Sequence, residues 1–529
     1  MTEVESLRPL ATVLVSAVAV PLILALHRNP DFREAVTLAA ATAKVGLVGS
    51  MVPGVLSGDV YVSDLGGLVE GVELVLRADA LGMLFAALAS LLWLFTSVYS
   101  VGYMRGLDEP RQARYYAAFA ASLSATMGVA FASNLLVLFV FYELLTVATY
   151  PLVAHDETGE ARAAGRKYLV YTLGGGVAVL FGTVLVYSLT GSVEFAAGGV
   201  SGLGDADPAL ARLAFALLVG GFGVKAGLMP LHSWLPDAMV APTPVSGLLH
   251  AVAVVKSGAF GVARTVLDVY GPDAVASLGV GLPLAAVAAF TFLAASVIAL
   301  RKDNLKRRLA YSTIAQLSYI VLGLALLSPA ALVGGLLHVP AHAFMKLALF
   351  FCAGAIHVET HTDDISEMAG IGRRMPLTMA AFAVASLGMA GIPLLSGFVS
   401  KWYLLVGSFD AGQPVFALAL AVSGVLNVAY FWPVVHQAFF ETQAEHDPKP
   451  LVDGPRGGYW ATKPDGYVPE ADGGGWRRAG WTGGEASWFV LLPILLSVAG
   501  AVVLGVVPGE AVYLDLVVEA VHGVTGVVV

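Results

Sequence analysis

The segment FALLVGGFGVKAGLMPLHSWLPD (215–237) is apolar along most of its length. It nevertheless carries Lys225 near its centre, with Pro230 and Pro236 following. About 20 apolar residues suffice for a helix to cross a bilayer, and a charge at the bilayer centre costs about 2.5–3.5 kcal/mol on insertion scales. Four more apolar segments hold a charge in the same way. They are LVLFVFYELLTVATYPLVA with Glu143, LLHAVAVVKSGAFGVA with Lys256, AHAFMKLALFFCAGA with Lys346 and LLSGFVSKWYLLVG with Lys401. The chain has ten lysines, and four are placed this way, whereas its nineteen arginines lie almost entirely in loops or at span ends. Arginine stays protonated at any relevant pH, while a buried lysine can lose its proton near neutrality. A structural pairing with a carboxylate or carbonyl would explain one such lysine. Four lysines and a glutamate on separate spans point instead to proton transport.

Composition supports a membrane protein. The chain is 57% hydrophobic and 13% charged, against about 25% charged in soluble domains. The acidic opening MTEVESLRPL is not expected to be a cleavable signal. Cys352 is the single cysteine, which excludes disulfides, thiolate iron–sulfur ligation and cysteine zinc sites within this chain. There is no P-loop and no strand-linked dinucleotide fingerprint. Gly223-x-x-x-Gly227 is read as a close-packing site between helices. No cofactor, metal or nucleic acid is expected. The chain reads as a secondary-transporter subunit, and as a translocase only within a redox complex.

Fourteen runs are long enough to span: 9–26, 36–56, 79–104, 113–133, 135–154, 167–190, 210–235, 243–267, 275–300, 308–327, 330–356, 376–407, 414–440 and 486–508. The expected fold is an all-α polytopic membrane protein. With the N-terminus outside, the inner loops collect most of the basic residues, including Arg28, Arg33, Arg105, Arg111, Arg114, Arg162, Arg166, Lys167, the run Arg301 to Arg308, Arg373 and Arg374, and five more between 449 and 478. The outer ends hold only Arg8, Arg77, Arg212 and Arg264. This bias predicts a multi-pass protein of the cell membrane with both termini outside. Lys44 is expected to snorkel to the inner surface. Residues 441–485 read as an inner loop and 509–529 as an interfacial helix.

Two lysines lie beside prolines. Met229-Pro230-Leu231-His232-Ser233 and Ile392-Pro393-Leu394-Leu395-Ser396 look alike. Proline in mid-span frees a backbone carbonyl, and broken helices at matching places in two halves mark a transporter's ion path. His338, His342 and Lys346 recur every four residues on one helical face. The two histidines have metal-binding spacing, but the lysine beside them would repel a cation, and a proton relay is the better reading. His232 and His250 are further candidates near Lys225 and Lys256. Asp237 reads either as a proton entry or as an acidic cap.

The stretch LHSWLPDAMVAPTPVSGLLHAVAVVKSGAF (231–260) resembles the antiporter-like membrane subunits shared by respiratory complex I, membrane-bound hydrogenases and Mrp-type sodium/proton antiporters. Supporting matches are FYELLTVATYPLV, LKRRLAYSTIAQLSYIVLGL (305–324), HAFMKLALFFCAGAIH (342–357) and GIPLLSGFVSKWYLL (391–405), so the resemblance covers roughly residues 80–440. It implies fourteen helices, two inverted five-helix repeats (113–267 and 275–440) after an N-terminal group (1–112), and a last span with its tail (486–529). It also implies a polar chain along the membrane midplane carried by Glu143, Lys225, Lys256, Lys346 and Lys401. Lys401 in place of a glutamate makes one complex I subunit unsuitable. ELLTVATYPLVAHDETGEARAAGRKYLVYTLGGG looks most like the Mrp D subunit. Met239 departs from the histidine common there, and no long lateral helix follows the final spans. The resemblance implies membrane subunits of a hetero-oligomeric antiporter or respiratory complex as partners, with protons and Na+ as cargo. The alternative is a proton-pumping subunit of a quinone oxidoreductase or membrane-bound hydrogenase.

Overall fold

The computed structural model describes residues 2–69, 71–442 and 484–527. The expected inner loop at 441–485 therefore lies almost wholly outside the described residues. The helices in chain order are α1 (Arg8–Ala25), α2 (Pro30–Gly49), α3 (Val52–Leu56), α4 (Ala80–Gly106), α5 (Gln112–Phe131), α6 (Leu135–Val153), α7 (Gly159–Thr190) and α8 (Pro208–Ala226). They continue as α9 (Trp234–Asp237), α10 (Thr243–Ala251), α11 (Val254–Arg264), α12 (Gly271–Ser277), α13 (Gly281–Ala299), α14 (Leu305–Leu326), α15 (Pro329–Thr360) and α16 (Pro376–Ala390). The last are α17 (Ser396–Asp410), α18 (Pro414–Phe440), α19 (Trp488–Val506) and α20 (Val512–Thr525). Each expected segment is filled by one helix or by a broken pair. Among the described residues, 12 helical stretches are long and apolar enough to cross a membrane.

The helix ends follow from the sequence. Proline opens α2, α8, α15, α16 and α18, where its missing N–H is not needed. Asp79, Asn134, Thr158, Asn304 and Ser328 cap α4, α6, α7, α14 and α15 by accepting backbone N–H groups. Nearly every residue of α11, α14 and α15 is buried, so these helices form the centre. On α7, Val170, Leu173, Val177, Phe181 and Val184 make an exposed apolar stripe at helical spacing. Such a stripe suits lipid or another apolar surface.

One corner is built twice. Asn134 accepts the Val137 N–H at 2.9 Å and donates to Glu194 at 2.8 Å, while Asn304 accepts the Arg307 N–H at 3.1 Å and donates to Asp364 at 3.2 Å. Each asparagine also forms an isolated antiparallel bridge with that acidic residue. From 134 to 304 and from 194 to 364 the separation is the same, and α7 and α15 each contain 32 residues. The first corner adjoins the strand leading into α4, through the Leu76–Ala132 bridge. The second lies where Val358 packs against Gly106 at the other end of α4.

Three strands were not expected. β1 (Thr2–Glu5) runs parallel to β2 (Asp59–Val69), which pairs antiparallel with β3 (Val72–Ala78). This sheet marks one end of the bundle, and the loops rich in basic residues mark the other. Arg264 ties the sheet end together through Asp79 and Asp268, each at 2.8 Å. The short α20 packs on α4 and α15 through Leu516, Val517 and Val521. At 14 residues it is too short to span a bilayer.

Lys44 is a correction. It does not reach a surface. Its Nζ is fully buried, donates to Ser16 Oγ at 2.7 Å and to the Leu123 carbonyl at 3.1 Å, and lies 5.2 Å from the Trp93 ring centroid. The α1 and α5 helices close over it from both sides, which leaves no route for snorkelling. The Gly223/Gly227 reading also changes. Gly227 takes a positive φ of 73° as the cap of α8, and it is Gly221 that meets Gly175 of α7 backbone to backbone.

Candidate functional site

The two proline motifs do interrupt their helices. Chain direction is lost between α8 and α9 around Pro230, and between α16 and α17 around Pro393. A third break separates α10 from α11 at Val252 and Ala253, where ψ is −59° and −77° but φ is −122° and −102°. No proline or glycine marks it. It places His250 and Lys256 on different helices.

At one side of the bundle, Lys225 lies in the last turn of α8. Its Nζ donates to the Tyr142 carbonyl at 2.6 Å and lies 3.3 Å from the centroid of the Tyr142 ring. Glu143, next on α6, makes no direct ion pair with Lys225. Its Oε1 is buried without a hydrogen-bond partner and presses against Gly176 of α7, where a Cβ would overlap the carboxylate. An alanine there would displace the carboxylate from this position. Gly258 of α11 allows an equally close approach, because a Cβ would collide with the Ala226 nitrogen. That contact holds the helix bearing Lys256 against the end of α8.

The centre joins the two halves. Lys256 Nζ lies 2.8 Å from His342 Nδ1 on α15. When Lys256 is charged, Nδ1 accepts the bond and the imidazole carries its proton on Nε2. The His250 ring lies 4.8 Å from that of Phe350 at a tilt of 40°, and among the described residues neither of its ring nitrogens has a hydrogen-bond partner. Lys346, one turn after His342, donates to the Leu309 carbonyl at 3.2 Å and to Ser312 Oγ. All four polar groups are buried. Each is an ammonium or imidazole group, and none is bonded to a carboxylate among the described residues. The charged form of any of these groups is therefore costly in so buried a setting.

On the far side, His338 bonds Ser400 Oγ and Gln316 Oε1, each at 2.8 Å. Gln316 donates to the Met389 carbonyl at 3.4 Å, and Lys401 donates to the same oxygen at 2.6 Å. The chemistry of the break explains this focus. A helical carbonyl at 389 would accept from residue 393, which is proline and has no N–H. The freed oxygen instead takes Lys401, Gln316 and Asn427, the last at 3.1 Å. His338 and Lys401 are thereby linked by a continuous set of hydrogen bonds.

The accessory residues lie towards the basic end. Asp237 pairs with Lys167 at 2.6 Å and is half-exposed. His232 is partly exposed, with an unpartnered Nδ1 and its ring 6.3 Å from that of Tyr311. Sequence reasoning missed Ser312, Gln316 and Tyr319, whose spacing is itself a polar helical stripe on α14. It also missed Ser400 and Asn427, which carry no comparable signal.

Residues 132–427 match the family model described as NADH:quinone oxidoreductase/Mrp antiporter, TM. The chain belongs to this family. Members similar to it include NADH-quinone oxidoreductase subunit N of Desulforudis audaxviator, 37% identical over 70% of this chain and 73% of that one. A component of a probable K(+)/H(+) antiporter of Rhizobium meliloti is 33% identical over 80% of this chain but only 42% of its own length. Among solved structures, a chain of the Mrp complex from Dietzia sp. DQ12-45-1b superposes with a TM-score of 0.81 at 23% identity, covering 98% of both chains. A chain of the archaeal membrane-bound sulfane sulfur reductase gives the same values. These likenesses establish the fold of an antiporter-like membrane subunit. The family member described here is a multi-pass, ion-translocating type of subunit.

Proposed function

We propose that this chain moves protons along the line Glu143, Lys225, Lys256, His342, Lys346, His338 and Lys401, with His250 beside its centre, as a subunit of a multisubunit Na+/proton antiporter. The observation that supports the reading is the Lys256–His342 contact, which brings a lysine of one cluster onto a histidine of the other. The twin asparagine corners at opposite ends of α4 support two inverted five-helix repeats, at 113–267 and 275–440. The basic end would face the cytoplasm, with His232 and Asp237 at its mouth and both termini outside the cell membrane. Partners would be other membrane subunits, of which the Mrp D position fits the sequence best.

A second reading is favoured by the quinone oxidoreductase relative, of which this chain covers about three quarters. In that reading the same path is driven by a redox complex. One experiment separates them. The native assembly is purified, its subunits are identified, and it is reconstituted with an internal pH dye. Proton movement on a Na+ pulse without an electron donor supports the antiporter. Movement only with a donor and quinone supports the alternative, and none under either condition overturns both.

A further inference from the structure

The loop after α4 and the loop after α6 meet at the basic end, away from the midplane chain. They bring together Glu109, His155 and Asp156, with one ligand atom from each within 4.8 Å of the others. The His155 side chain is 0% exposed, and among the described residues neither ring nitrogen makes a well-formed hydrogen bond, although the Pro110 carbonyl lies near the ring and favours its protonated form. Its Nε2 stands 3.8 Å from Glu109 Oε2, beyond hydrogen-bond distance.

The imidazole is held in place from behind. The His155 carbonyl accepts from Arg114 Nη2 at 2.8 Å, and the ring meets Tyr115 edge-on at 5.8 Å. The nearby guanidinium groups are engaged elsewhere, since Arg111 and Arg114 both pair with Glu157. Lys306, which acts on Glu109 through its charge, donates to the Ala241 carbonyl at 3.1 Å. Burial holds His155 below the ordinary imidazole value, against the opposing pull of Asp156. A neutral imidazole is the form that binds metals.

A buried imidazole whose lone pair has no donor costs free energy unless something fills it. We propose that Glu109, His155 and Asp156 bind a divalent first-row transition cation of the zinc class. One nitrogen and two carboxylate oxygens form a borderline donor set that suits such ions. Ligands about 2.0–2.2 Å from zinc stand at most roughly 4.4 Å apart, so a small rotation of Glu109 or Asp156 closes the set. The ion would join the loop leaving the N-terminal helices to the loop entering α7, the helix that carries Gly176 against Glu143.

The test uses the purified full-length chain with its native partners, stripped with a chelator and titrated with Zn2+ against a chromophoric competitor. One equivalent per chain is expected to bind. Affinity should fall at least tenfold in Glu109→Gln and His155→Gln, and stay unchanged in His436→Gln, whose ring pairs with Glu441. Equal affinity in His155→Gln, or no binding by the wild type at micromolar Zn2+, overturns the site. Because a variant can misfold, pulsed paramagnetic resonance of Mn2+ bound to wild type gives an independent reading. Coupling to a single imidazole nitrogen supports the site, and no nitrogen coupling overturns it.

Discussion

The Nζ of Lys256 and the Nδ1 of His342 lie 2.8 Å apart, and through them a helix of the first half touches a helix of the second. A hydrogen bond that either partner can reverse is a natural step for a proton. Lys256→Met is expected to reduce cation-driven proton movement in reconstituted vesicles to background. His342→Gln should retain a fraction of it, because water bridges a missing imidazole more readily than a missing charge. Full activity in the methionine variant would remove Lys256 from the path.

Lys401 faces the Met389 carbonyl that Pro393 leaves without an N–H donor. Lys401→Arg keeps the charge and the hydrogen bond but cannot give up its proton. Transport is expected to fail while expression and assembly remain normal. Normal transport would make Lys401 an electrostatic element only.

Gly176→Ala should act as a substitution of Glu143 without touching it, since the new Cβ would occupy the carboxylate's place. Transport should drop by about tenfold or more, the equivalent of about 1.4 kcal/mol on the barrier. A Glu143→Gln protein should be affected to a similar degree. An alanine variant that transports like wild type would show that Glu143 need not stay where it is.

Glu485, just before α19, accepts the N–H groups of Leu377 and Thr378 at 2.8 and 2.7 Å and so caps α16. Burial raises its carboxyl above the ordinary 4.5, in spite of these donors. A carboxyl raised in the folded state contributes most stability below about pH 4.5 and loses it as pH rises through the raised value. The thermal-unfolding advantage of wild type over Glu485→Gln should therefore shrink from acid to neutral pH. An advantage that grows with pH would reverse the sign and sink the assignment.

Much of this was legible in the chain. The spans, their buried charges and the proline breaks follow from local pattern, because a bilayer penalises every polar group and leaves few ways to satisfy it. The stripe Ser312, Gln316, Tyr319 was available by the same logic. The break at Val252 and Ala253 was not, because HAVAVVK holds no proline or glycine and its valines disfavour a helix only slightly. The sheet at 59–78 was hidden in a short segment between two strong spans.

The residue types and their order along each helix determined by themselves that this is a polytopic membrane protein with four midspan lysines and a glutamate. The pairing of those groups was decided by the tertiary structure alone. Lys44 and Lys256 look alike in sequence, each a lysine in an apolar run. One ends on Ser16 and a carbonyl, and the other on a histidine of the opposite half. The difference arises because a buried ammonium takes whatever acceptor the neighbouring helices bring within about 3 Å, and that neighbourhood is assembled from residues far apart in the chain.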